Sequence, residues 1–127
     1  MNDTNVKTYF HVLQSEYLKV KNIDMIHPLK QRLVYDIVTD RLSDYLDCID
    51  KVVVFGSSTS MRCSINSDLD IAVRFADNMD TLENKNAVSE LIGKETDWNY
   101  DIVWLNGINE NGRLYNEILS EGRVVYE

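Results

Sequence analysis

Three aspartates set the chemistry this chain can attempt: Asp68 and Asp70, two residues apart, and Asp101 further on. Leu69, Ile71, Val73 and Phe75 alternate with Asp68, Asp70, Ala72 and Arg74, the period-two signature of a strand with one face on a core. On such a strand Asp68 and Asp70 leave the same face with Cβ atoms about 7 Å apart, so the two carboxylates repel each other and call for something positive between them. A hard divalent cation suits oxygen ligands. Mg²⁺ takes one or two carboxylates and fills its octahedron with water and phosphate oxygens, and Mn²⁺ is the alternative ion. The chain offers no Cys/His cluster for zinc.

Asp101 opens a second strand-like segment, Asp101-Ile102-Val103-Trp104, and a neighbouring place in the sheet would bring it beside the pair. Three converging carboxylates support two ions roughly 3.5–4 Å apart, the arrangement used for in-line phosphoryl or nucleotidyl transfer. In that scheme Asp101 serves the ion that activates the attacking hydroxyl, and Asp68 and Asp70 bridge both ions. Gly56-Ser57 closes a β-branched run, and the lack of a Cβ at position 56 lets backbone N–H groups approach phosphate oxygens.

Each signal has a plainer reading. An Asp-x-Asp pair on a strand face is commonly a solvated surface feature, and Lys51, Arg62 and Arg74 read first as solvated charges or surface ion pairs. The metal reading is favoured because Gly56, Ser57, Asp68, Asp70 and Asp101 occur together. His27 precedes Pro28 and reads as a helix entrance, and His11 lies among core-like residues, so neither histidine is assigned chemistry.

The elements that must hold these groups follow from periodicity. Val6, Tyr9, Phe10, Leu13, Tyr17 and Leu18 recur at helical spacing, and Pro28 begins a second helix with a stripe of Leu29, Leu33, Ile37, Leu42, Tyr45 and Leu46 ending near Cys48. This helical preface spans residues 1–50. Val52, Val53, Val54 and Phe55 form a buried strand stopped by Gly56, and the alternating segment from Leu69 forms a second. Asp80 and Glu83 resemble a capping box for a helix through Ala87, Val88, Leu91 and Ile92. A third strand starts at Tyr100. A last helix through Leu114, Ile118 and Leu119 ends at Gly122, where a left-handed residue is expected, and Val124, Val125 and Tyr126 form a short edge strand. The sum is an α+β fold, an α/β sandwich: a small mixed sheet flanked by helices, one domain over residues 1–127 with its core in residues 51–127.

The 127 residues suffice for one buried core, and a net charge of −8 argues against a surface that itself wraps nucleic acid. Cys48 and Cys63 are too few for a disulfide framework, no apolar run approaches a membrane span, and the start Met1-Asn2-Asp3-Thr4 carries no signal core. A cytoplasmic protein is expected.

Val54-Phe55-Gly56-Ser57, ten residues, then Asp68-Leu69-Asp70 resembles the Gly-Ser-x10-Asp-x-Asp motif of the minimal nucleotidyltransferases of the DNA polymerase β superfamily. The resemblance covers about residues 50–127 and includes Ser67 before the paired aspartates, Asp101 as the third carboxylate, and Ile118-x3-Gly122-x3-Tyr126 at the close. It implies a polymerase-β-like fold and Mg²⁺-dependent transfer of a nucleoside monophosphate, such as AMP from ATP, onto an acceptor hydroxyl. Gly56 and Ser57 would cradle phosphates, and Asp68, Asp70 and Asp101 would hold metal. Many members of that family are antitoxins that act on HEPN-type toxins, which makes such a toxin the implied protein partner. Two departures stand out: Ser60-Met61 where relatives often have Arg-Gly, with Arg62 one position later, and about fifty residues of preface.

Two function classes follow. The first is an enzyme transferring AMP to a protein hydroxyl. The second is a binding module, an antitoxin that neutralises its partner by contact with chemistry secondary or lost. Small-molecule nucleotidylation ranks below both, because relatives in that role append a further helical domain. The assembly state is left open, a homo-oligomer included.

Overall fold

Two strands with almost no exposed side chains on their central residues organise the molecule. β1 (Ile49–Phe55) carries Val52, Val53 and Val54 at 0% exposure, and β2 (Leu69–Phe75) carries Leu69, Ile71, Ala72 and Val73 at 0%. Strands covered on both faces read as continuous β-branched runs, which is why β1 shows no alternation. β1 starts at Ile49, two residues before the boundary expected at Lys51.

The computed structural model describes residues 20–64, 66–94 and 99–127; the first expected helix, through Val6 and Leu18, lies outside them. The other elements are α1 (Pro28–Asp36), α2 (Leu82–Gly93), β3 (Tyr100–Trp104), α3 (Arg113–Glu121) and β4 (Arg123–Tyr126). The sheet is mixed, in the order β3-β2-β1-β4: β1 pairs antiparallel with β2 and β4, and β2 pairs parallel with β3.

The sheet separates two cores. On one face Val52, Val54, Leu69, Ile71, Val73 and Phe75 meet Val34, Ile37, Val38 and Leu42 of the preface and Val88 and Ile92 of α2. On the other, Val53 and Ala72 meet Leu105, Tyr115 and Ile118 beneath α3. Trp104 is a packed strand residue, with its ring 5.7 Å from that of Phe75. The expected α+β sandwich with a helical extension is the fold observed. None of the helices among the described residues is long and apolar enough to cross a membrane.

Four local expectations change. The helix that starts at Pro28 does not run to Cys48: after Asp36 it widens into a π-helical turn, Ile37–Arg41, where Leu42 N–H donates to Ile37 O at 2.9 Å. The β-branched residues Ile37, Val38 and Thr39 crowd this turn, and the Thr39 hydroxyl bonds back to Tyr35 O at 2.7 Å, a contact that loosens the regular ladder. The buried stripe of α1 is also rotated by one residue, with Lys30 and Val34 inside and Leu29 46% exposed. The cap of α2 is Thr81, whose hydroxyl accepts from Asn84 N–H at 3.2 Å, rather than Asp80. Gly122 is extended, not left-handed. It is needed for proximity: a Cβ there would lie 2.3 Å from Ile118 O and 2.7 Å from Val53 Cγ1.

Candidate active site

Strand direction gathers the aspartates. β2 and β3 run parallel, so their N-terminal ends lie together, and the C-terminal end of antiparallel β1 arrives at the same edge. Asp70 is the register partner of both Phe55 on β1 and Asp101 on β3. Asp68 stands just ahead of β2 and is exposed, as is Asp101, whereas Asp70 is half-buried between them. Burial first, and then the charges of Asp101 and Asp68, push the Asp70 carboxyl above the ordinary carboxylate range. The edge therefore carries crowded negative charge.

Gly56 turns the chain at this edge. Its φ of +72° is a left-handed conformation, and a Cβ at this position would lie 2.2 Å from Asp70 Oδ2. Only glycine satisfies both the turn and the close approach of the carboxylate. A short 3-10 turn, Gly56–Thr59, follows and is braced by its own hydroxyls: Thr59 Oγ1 donates to Gly56 O at 2.9 Å and Ser60 Oγ to Ser57 O at 3.2 Å. Gly56, Ser57, Thr59, Ser60, Arg62 and Glu121 line an open cleft of about 450 Å³.

The Gly56 turn, Asp70 and Asp101 thus meet at one edge of the sheet. The family described as polymerase beta, nucleotidyltransferase matches residues 37–127. The chain belongs to this family. A crystal structure of a toxin-antitoxin with AMP-PNP superposes with a TM-score of 0.55 at 24% identity, covering 72% of this chain and 71% of that one. A structure of the toxin-antitoxin MntA-HpeT mutant gives 0.53 at 22% identity, covering 70% and 69%. At such identities the likeness speaks for the fold. No curated protein matches.

Within this nucleotidyltransferase domain the donor set at the edge is all carboxylate oxygen, which fits a hard divalent ion, and the repulsion felt by Asp70 is what such an ion would relieve. Among the described residues no three His, Cys, Asp or Glu side chains close into a cage for an ion. Mg²⁺ habitually completes its shell with phosphate and water oxygens rather than protein groups alone.

Of the basic residues, Arg62 lines the cleft with Gly56 and Ser57. Arg74 is engaged elsewhere, with Glu110 at 2.6 Å, Tyr115 Oη at 3.0 Å and Asp50 at 3.7 Å, and Lys51 lies 3.9 Å from Glu127. His27 is the expected helix entrance, its Nδ1 accepting from Leu29 N–H at 3.2 Å.

Two residues of this neighbourhood escape sequence reading. Ser58 is fully buried in the glycine turn, and its hydroxyl has no partner among the described residues. Lys30, at 0% exposure, extends from the first turn of α1 and donates through Nζ to Ser67 O at 2.7 Å. Burial lowers its pKa, while Cys63 and Asp68 pull it back up. A lysine counts as polar in a periodicity search. The one available signal was its spacing of four from Val34 and seven from Ile37, on the stripe that proves to be buried.

Proposed function

We propose that this domain transfers a nucleoside monophosphate, AMP from ATP, onto a hydroxyl of a partner protein, a HEPN-type toxin. The observation that carries the reading is the register pairing of Asp70 with Asp101 beside the Gly56 turn. The partner is inferred from the toxin-antitoxin structures whose fold this chain shares, and the nucleotide from the AMP-PNP found with one of them.

Asp68 and Asp70 would hold the cations that accompany the triphosphate, and Asp101, exposed on β3 in register with Asp70, would serve the ion that activates the acceptor hydroxyl. A divalent ion there would neutralise phosphate charge and acidify the attacking hydroxyl. The acceptor oxygen forms a bond to the α-phosphorus, the bond to the β-phosphate oxygen breaks, pyrophosphate leaves, and the hydroxyl proton passes to the Asp101 side. Gly56, Ser57 and Arg62 line the cleft that would take the phosphate tail, which backbone N–H groups and the Arg62 guanidinium would meet.

A second reading, neutralisation by contact, draws on the exposed Met25, Leu29 and Met61 near the cleft lined by Asp24, Ile26 and His27. Calorimetric titration of ATP with Mg²⁺ into the protein and into an Asp68→Asn, Asp70→Asn variant tests the enzyme reading, followed by transfer of α-labelled ATP to the partner. Metal-dependent binding and labelling, both lost in the variant, are expected. Absence of nucleotide binding with either Mg²⁺ or Mn²⁺ sinks the enzyme reading, and toxin neutralisation that survives in the variant favours the contact reading.

A further inference from the structure

The helical preface grips the segment between the glycine turn and the aspartates at two points. His27 N–H donates to Ser58 O at 2.8 Å, and Lys30 Nζ donates to Ser67 O at 2.7 Å. The first bond holds the segment where it leaves β1; the second holds it one residue before Asp68. One comes from the cap of α1 and the other from its first turn, and Lys30 N–H closes that turn on His27 O at 2.8 Å.

Lysine is a costly residue for this place. Its neighbours on the same stripe, Val34 and Ile37, are apolar, and an apolar side chain of similar volume would pack there without desolvating an ammonium. Stability alone does not account for the choice. An ammonium on the Ser67 carbonyl does something a methyl cannot: it holds the peptide plane that leads into Asp68, close enough for the Asp68 charge to act on the ammonium.

We propose that Lys30 is a positioning residue of the active site, holding the Ser67 peptide so that Asp68 is presented beside Asp70 and Asp101. The proposal rests on the reading of these carboxylates as a metal site. It assigns the preface a part in the chemistry, through the element that residues 51–127 lack.

Mn²⁺ affinity, followed from the electron-paramagnetic signal of the free ion, tests this directly. Wild type, Lys30→Met, Asp68→Asn and the double variant are compared, with circular dichroism and Tm recorded for each. Loss of a nearby positive charge, by itself, would tighten cation binding; loss of position weakens it. Lys30→Met is expected to keep the fold and bind Mn²⁺ roughly tenfold more weakly, the low end for groups that orient metal ligands. In the Asp68→Asn background it should have no further effect.

Binding by Lys30→Met as tight as wild type or tighter overturns the proposal while leaving the metal site standing. If wild type itself binds no Mn²⁺, the metal reading fails and this proposal with it. Should Lys30→Met not fold, Lys30→Leu, which likewise lacks a donor for the Ser67 carbonyl, is read in the same way. Failure of both variants to fold makes Lys30 a structural residue and overturns the positioning role.

Discussion

Asp70 and Gly56 are bound to each other by proximity, and each predicts something about the other. The Asp70 carboxyl titrates above its ordinary value of 3.8 because it is buried beside Asp101 and Asp68. Between the ordinary and the raised value the folded state keeps a proton that the unfolded chain has lost, so this group's contribution to stability falls as pH rises through that window. Asp70→Asn removes the buried charge. Its Tm should exceed that of wild type at pH 7 by a few degrees, and the gap should close as pH falls toward 3.8; scanning calorimetry without metal checks both. Gly56→Ala should act oppositely, costing about 2–4 kcal/mol in urea unfolding through the left-handed backbone and the clash with Asp70 Oδ2. In an Asp70→Ala background the clash is gone and about 1–2 kcal/mol of backbone strain remains, so a double-mutant cycle should show coupling. At this scale the sequence is informative where residue type is the signal: Gly56, Asp68, Asp70 and Asp101 stand out because few other residues do their work. Lys30 does not stand out, because its role comes from burial and from a backbone carbonyl thirty-seven positions away.

Elements were legible where periodicity had one solution and ambiguous where it had two. The alternation over residues 68–75 locates β2 to within one residue: the strand runs Leu69–Phe75 and leaves Asp68 just ahead of it. The helix beginning at Pro28 offered two stripes, Leu29 with Leu33 or Lys30 with Val34, and apolar counting chooses the first. Tertiary bonds choose the second, since His27 N–H on Ser58 O and Lys30 Nζ on Ser67 O set the rotation of the first turn. A similar one-residue ambiguity surrounds the start of α2, where Asp80 and Thr81 are both good caps. Thr81 Oγ1 accepts from Asn84 N–H, so Thr81→Ala should cost about 1 kcal/mol while Asp80→Ala stays within about 0.5 kcal/mol, measured by chemical denaturation. Equal losses at the two positions would contradict the observed cap.

Strand order is a property of the whole molecule and is absent from local pattern, because hydrogen bonds between strands leave no period in either one. The sequence supplies four strand-like segments but not the order β3-β2-β1-β4, nor the parallel pairing that puts Asp101 opposite Asp70. That pairing has a thermodynamic consequence. Asp70 and Asp101 sit on paired strands and Asp68 just ahead of β2, so a ligand held among them stabilises the sheet against global unfolding. Any ligand that binds only the folded state raises stability as RT ln(1 + [L]/Kd), about 2.7 kcal/mol at a hundredfold excess over Kd. Mg²⁺ with ATP should therefore raise Tm in a concentration-dependent way, and neither alone should match the pair, because the carboxylate-rich edge needs the cation and the cation's remaining sites need phosphate. The Asp68→Asn, Asp70→Asn variant should start from a higher Tm than wild type and gain nothing from Mg²⁺ and ATP. A ligand-induced shift equal in the two proteins would place nucleotide binding somewhere other than this edge.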